Sequence, residues 1–252
     1  MAWQIDAYEP LYELKPFGPD IWLTDGPLID FKAGIVTVPY PTRMTIVRLK
    51  DGKLWLHSPV PLTDKLKAQV DALGEVAYLV APNKIHYWWI GEWMAAYPDA
   101  QSFAAPRVEE RSWPEKGVRF DRELTNGADT PWTGEIAFCV VEGHVLSEAV
   151  FFHAASRTLI VTDLIENFEP EKVHGFWTHL LLRLTGIMAP HGAAPRDLRA
   201  TFFGRKAHLR AKVQKMLSWQ PEKIILAHGA CIESGALSFL RRSFRWAGIK
   251  PA

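Results

Sequence analysis

Hydrophobic and polar positions change rhythm several times along this chain, and each change predicts an element. Residues 21–26 read as a short strand closed by an Asp25-Gly26 turn. Residues 44–49 and 54–57 flank Lys50-Asp51-Gly52-Lys53, the pattern of a tight hairpin. Thr63-Asp64 then opens a helix with Leu66, Val70 and Leu73 on one face and Gly74 as its stop. Residues 76–80, Val-Ala-Tyr-Leu-Val, form an unbroken apolar run and read as a buried strand. Strand, helix and strand at this spacing make a βαβ unit, so part of the sheet is predicted to be parallel.

After His86 the spacing predicts a helix over 89–97 that ends before Pro98. Residues 101–105 read as a short strand and 107–131 as polar and irregular. Strands over 135–142 and 149–153 flank a Gly143-His144 turn, and a strand over 157–162 ends at Asp163. Beyond Pro170, Val173, Phe176, Leu180, Leu184 and Ile187 recur at helical spacing and predict one long amphipathic helix. Another helix is predicted over 197–217, a last strand over 223–227 that delivers His228-Gly229, and a terminal helix over 234–246. No repeat or low-complexity linker divides the chain, so a single domain over residues 1–252 is expected. The order is β-rich, then mixed, then helical, with strands recurring to the end. It predicts an α/β (α+β layered) architecture, a sandwich of sheets covered by helices.

Composition narrows the partners. Of the 252 residues, 48% are hydrophobic and 23% charged, which supplies a sizeable core without disulfide or metal staples. Cys139 and Cys231 are the only cysteines, too few for a cysteine-rich zinc cluster. No apolar run approaches a membrane span and the first residues show no signal-peptide pattern, so a cytoplasmic protein without a membrane partner is expected. The net charge of +1 hides an asymmetry. Residues 1–180 carry 16 Lys and Arg against 25 Asp and Glu, whereas residues 181–252 carry 13 against 3. Arg196, Arg199, Arg205 and Lys206 belong to that basic third and read as a solvated helix face. Nucleic acid is not an expected partner, because no recognition motif accompanies the charge.

Four residues carry the candidate chemistry. His86, His144, Asp163 and His228 each stand at or just beyond the end of a predicted strand, where open α/β sheets bind their ligands. Three imidazoles and a carboxylate are suitable ligands for Zn²⁺ or Fe²⁺. Trp88, Trp89 and Trp93 follow His86 and read either as core or as an aromatic pocket wall.

The ordering of elements and motifs resembles the metallo-β-lactamase superfamily, an αββα sandwich of hydrolases and related enzymes, from residue 21 to residue 246. That family's first motif is His-x-His-x-Asp-His followed by Gly. Anchored on Gly91, the segment Lys84-Ile85-His86-Tyr87-Trp88-Trp89-Ile90-Gly91 falls on it. Only His86 matches a ligand; Lys84, Trp88 and Trp89 replace the others. Gly143-His144, Thr162-Asp163 and Ala227-His228-Gly229 resemble the later motifs, while Leu56-His57-Ser58-Pro59 stands where the family often has Asp-x-Gly. The resemblance implies a divergent branch with a reduced, mononuclear site: His86, His144, Asp163 and His228 as metal ligands and one Zn or Fe ion. With the usual Asp replaced by Trp88, Asp163, His57 and Lys84 are the candidates for handling the reacting water. The alternative is a non-catalytic descendant without metal that binds a small molecule or a protein partner. A small-molecule substrate or ligand is expected in the first reading.

Overall fold

A computed structural model describes residues 4–33 and 36–250; the first three residues, read above for a leader, lie outside this range. In chain order the first half comprises β1 (Gln4–Ile5), β2 (Lys15–Gly18), β3 (Ile21–Ala33), β4 (Val36–Arg48), β5 (Leu54–His57), α1 (Asp64–Asp71), β6 (Val76–Ala81), α2 (Ile90–Ala96), β7 (Gln101–Ala104), α3 (Glu109–Lys116) and β8 (Arg122–Glu123). The second half comprises β9 (Ile136–Glu142), β10 (Ser147–His153), β11 (Thr158–Val161), β12 (Val173–His174), α4 (Phe176–Thr185), α5 (Arg196–Ala200), α6 (Lys206–Ser218), β13 (Lys223–Leu226) and α7 (Ala236–Ser243).

Two sheets stack face to face. One has seven strands in the order β2-β3-β4-β5-β6-β7-β8, the other four in the order β13-β11-β10-β9. Alternation within the second sheet separates its two faces. Phe151, Ile160 and Ile225 enter the layer between the sheets, with Trp55, Trp132 and Tyr78. Val150, Leu159, Val161, Ile224 and Leu226 point the other way, onto Leu209, Val213 and Met216 of α6 and Phe239 and Leu240 of α7. On the far side of the first sheet, Leu66 and Val70 of α1 and Trp93 of α2 join the same core as the inter-sheet layer. The result is the αββα sandwich the sequence predicts.

The predicted βαβ unit is present: β5 pairs parallel to β6 around α1, whose Thr63 cap accepts from the Leu66 backbone N–H. The hairpin between β4 and β5 closes at Gly52, at φ 85°. The Asp25-Gly26 turn is not present. Both residues lie inside β3, which continues to Ala33. Asp25 is buried between Arg43 and Lys15, each at 2.8 Å, and a Cβ on Gly26 would meet Thr42 Oγ1 at 2.6 Å. A buried ion pair and a close approach had the sequence look of a turn.

Two helical expectations also change. The helix predicted over 197–217 is two helices, α5 and α6, separated by a turn through Gly204 at φ 71°. The stretch 107–131, expected to be irregular, contains α3. Of the helix predicted over 173–187, only α4 is α-helical, and its apolar stripe is turned outward. Phe176, Trp177, Leu180 and Leu184 are exposed, while Thr178 and Leu182 face the protein. An amphipathic helix ordinarily buries its apolar face; α4 does the reverse.

Candidate metal centre

Parallel pairing sets the position of the site. β5 and β6 are parallel in one sheet and β11 and β13 in the other, so each pair ends at a common edge, where the following loops meet. Ser58 follows β5, Asn83 and His86 follow β6, Asp163 follows β11 and His228 follows β13. His228 is held there by Gly229, whose φ is 94° and where a Cβ would fall 2.1 Å from the Asn167 carbonyl oxygen.

Among the described residues, His86, Asp163 and His228 form a group whose ligand atoms all lie within 4.8 Å of one another. His86 Nε2 is 3.2 Å from His228 Nε2 and 3.4 Å from Asp163 Oδ2. His228 Nε2 is 3.2 Å from Asp163 Oδ1. Nitrogen and oxygen ligands about 2.0–2.1 Å from a tetrahedral Zn²⁺ lie roughly 3.3–3.4 Å from one another. The two imidazole nitrogens are thus one tetrahedral edge apart, and each faces a different oxygen of the Asp163 carboxylate, so the three side chains are close enough to share one ion.

Hydrogen bonding leaves the same atoms in need of a cation. His228 Nδ1 lies 2.9 Å from the Pro41 carbonyl oxygen, which only accepts, so Nδ1 carries a proton and donates. Burial holds His228 below the ordinary histidine range despite the opposing pull of Asp163. Its Nε2 therefore presents a lone pair to the Asp163 carboxylate at 3.2 Å, two acceptors face to face. Asp163 is charged: although burial pushes it up, the imidazoles of His86 and His228 hold it well below the usual carboxylate range. His86 is raised, because Asp163 and then Glu148 outweigh the effect of its burial.

Neighbouring side chains orient the three. Ser58 Oγ lies 2.8 Å from His86 Nδ1. Buried Asn83 donates from Nδ2 to Asp163 Oδ2 at 2.6 Å and to Thr162 Oγ1 at 2.9 Å. Glu148, on β10, accepts the backbone N–H groups of Thr162, Asp163 and Leu164 at 2.8, 2.9 and 3.0 Å, fixing the loop that carries Asp163. Burial and the charge of Asp163 push Glu148 up to about 7. Such partners set ligand orientation as much as the ligands themselves do. None of them was legible in the sequence, since each contact joins distant segments.

The triad lies in the wall of a cavity of about 580 Å³. Trp88, Trp89, Ile85, Leu146, Leu182 and Ile187 supply much of its apolar lining, and Lys84, Thr42 and Glu166 add polar groups. Lys84 is lowered by burial and by Arg107 and Arg111 nearby. Glu166 is buried, accepts from the Tyr40 hydroxyl at 3.1 Å, and is raised well above the carboxylate range by burial and then by Asp163. It is a buried acid beside the triad, and the sequence offered no signal for it.

The other predicted residues lie elsewhere. His144 is exposed in the turn after β9, its Nε2 donating to the Phe203 carbonyl oxygen at 3.1 Å. β9 is two strands from β11 in the sheet, about 9–10 Å at ordinary strand spacing. The structure thus brings together three of the four expected ligands. His57 is buried, stacked on Trp55 at 5.5 Å and edge-on to Phe151 at 5.4 Å, and is not part of the cavity lining. Burial, then the proximity of His86, lowers it to about 3. Of the three tryptophans, Trp88 and Trp89 line the cavity, whereas Trp93 is core and donates to the Val60 carbonyl oxygen at 2.7 Å.

Residues 21–179, more than half of the chain, match the family described as Domain of unknown function (DUF4336). The chain belongs to that family. His86 and Asp163 fall inside the matched segment of this DUF4336 protein and His228 beyond it. No curated protein matches the sequence. Among solved structures, the chain is similar to the DIM-1 metallo-β-lactamase exposed to ceftazidime, with 13% identity over 94% of this chain and 96% of that one, at a TM-score of 0.61. It is also similar to the mono-zinc form of FIM-1 from Pseudomonas aeruginosa, with 15% identity over 94% and 96%, at a TM-score of 0.57. A fragment of diflavin flavoprotein A 5 from Nostoc sp. PCC 7120 shares 9% identity over 98% and 97%, at a TM-score of 0.58. The DUF4336 chain is thus a divergent, distant branch of the metallo-β-lactamase-like fold. A lactamase and a flavoprotein share that fold by name, so it specifies architecture and leaves the reaction to the site.

Proposed function

We propose that this DUF4336 protein is a metal-dependent hydrolase with a one-ion centre, in which His86, Asp163 and His228 hold a single Zn²⁺ or Fe²⁺. The observation that carries this reading is the convergence of two buried imidazole Nε2 atoms, 3.2 Å apart, on the two oxygens of one carboxylate at 3.4 and 3.2 Å. Three protein ligands with a fourth position left open are the pattern of catalytic rather than structural zinc sites. A cation bound there supplies Lewis acidity and lowers the pKa of water toward about 7.

The chain's own groups divide the remaining work. Asp163 is held in orientation by Asn83, and His86 by Ser58. Glu166, its pKa raised by burial and by Asp163, serves as the proton donor to a departing oxygen or nitrogen. Lys84 borders the same cavity and attracts an anionic or carbonyl group of the substrate. Trp88, Trp89 and the leucines exclude bulk water. The substrate is a small-molecule ester, amide, thioester or phosphoester. A second reading, a binding protein without catalysis, is favoured by Trp88 and Trp89, which stand at two ligand positions of the related motif and line the cavity instead.

Elemental analysis of protein purified without added metal or chelator, beside the His86→Ala/Asp163→Ala double variant, tests the proposal. About one equivalent of zinc or iron is expected in the wild type. The variant should lose it with its circular dichroism unchanged, and hydrolysis in a panel of the four bond types should be lost with it. No metal after reconstitution with zinc, iron and manganese would overturn the hydrolase and leave the binding protein.

A further inference from the structure

The apolar side chains left in solvent are not scattered. Nine large hydrophobic residues are exposed among the described residues. Four of them lie on α4, and each of the other five is within two residues in sequence of a cavity-lining position. Phe176 and Trp177, 72% and 56% exposed, open α4, with Leu180 and Leu184 further along it. The same helix sends Leu181, Leu182 and Thr185 into the cavity wall. Val145 belongs to the lining, and Phe203, 85% exposed, is tied beside it through the bond between its carbonyl oxygen and His144. Exposed apolar surface concentrated around one cavity marks an interaction site, whereas single exposed hydrophobics need no explanation.

Charge indicates what covers it. Between residues 176 and 206, the segment that carries α4, α5 and Phe203, the chain has Arg183, Arg196, Arg199, Arg205 and Lys206 against one acid, Asp197. Arg183, Arg196, Arg205 and Lys206 are exposed. Aromatic and aliphatic side chains interleaved with cations are the combination that binds an anionic bilayer interface, where apolar insertion and charge attraction add. A second copy of this chain would instead bring the same cations against each other.

We propose that the rim of the cavity, formed by α4 with Phe203 and Val145, is a docking face for an anionic lipid surface. The protein rests on the bilayer by Phe176, Trp177 and Phe203, and its cavity opens toward the lipid. No described helix is long and apolar enough to cross a membrane, and this mode needs none. The sequence-based expectation of no membrane contact rested on spanning segments alone. Docking does not depend on the metal centre; it adds to the hydrolase reading that the substrate arrives from a membrane.

Flotation with phosphatidylcholine vesicles, with and without phosphatidylglycerol, tests the proposal on the full chain. Wild type should float with the anionic vesicles, release as salt is raised, and stay in solution with phosphatidylcholine alone. Trp177→Glu and Phe203→Glu change exposed positions that the core does not use. Each should weaken flotation about tenfold or more, and Arg205→Glu/Lys206→Glu should abolish its salt sensitivity. Protein stripped with chelator should bind equally well, so failure of the metal centre and failure of docking are separately visible. Absence of binding to anionic vesicles, or binding unchanged in both glutamate variants, would overturn the proposal. So would a wild-type dimer in light scattering that Trp177→Glu converts to a monomer.

Discussion

Replacing Asp163 by asparagine separates a metal centre from a hydrogen-bonded cluster. The amide is isosteric with the carboxylate and can be placed atom by atom. Its oxygen takes the Oδ2 position, where it still accepts from Asn83 Nδ2 at 2.6 Å. Its nitrogen takes the Oδ1 position and donates to the His228 Nε2 lone pair at 3.2 Å. The opposed acceptors are thereby reconciled without a cation, and the only anionic ligand is gone. Asp163→Asn should no longer hold metal. In wild type, metal at about 100 times its dissociation constant contributes about 2.7 kcal/mol to stability. For a chain of this size, 1 kcal/mol shifts the melting temperature by about 2–4 °C. Chelation should therefore lower the Tm of wild type by about 5–10 °C and leave that of Asp163→Asn unchanged, in parallel thermal scans with and without chelator. Equal responses to chelator in the two proteins would refute the reasoning.

His144→Ala should leave metal content unchanged in elemental analysis, because its ring bonds the Phe203 carbonyl oxygen on the exposed side of the turn. Glu148→Leu should cost about 3 kcal/mol or more in urea unfolding, since three buried N–H donors lose their acceptor at once. His57, with a folded pKa of about 3 against an ordinary 6.5, binds its proton more readily when unfolded. The stability it contributes is complete above pH 6.5 and declines as pH falls toward 3, at about 1.4 kcal/mol per pH unit. His57→Phe, in the same slot between Trp55 and Phe151, should flatten that slope in urea titrations across the range.

Local pattern was sufficient for much of this protein. Strand periodicity, the Asp51-Gly52 hairpin and the capped helix after Thr63 depend on neighbours in sequence. They predicted the βαβ unit and the layered sandwich, and placed His86, Asp163 and His228 at strand ends. Because β5 runs parallel to β6 and β11 to β13, those ends share an edge, and three of the four candidate ligands meet there. The fourth stands apart in a way no local pattern carries: His144 also follows a strand, but its ring is exposed and bonds the Phe203 carbonyl oxygen. Partners that complete the site are equally non-local. Asn83 reaches Asp163 across 80 residues and Tyr40 reaches Glu166 across 126, so only the packed chain reveals an oriented carboxylate and a second buried acid beside it. The helix after Pro170 marks the same division. Its apolar spacing was plain in the sequence, but whether that stripe faces core or solvent depends on which side the rest of the fold covers. Periodicity specifies that a helix has an apolar face; tertiary packing alone decides what that face meets, and on α4 it left that face in solvent beside the cavity.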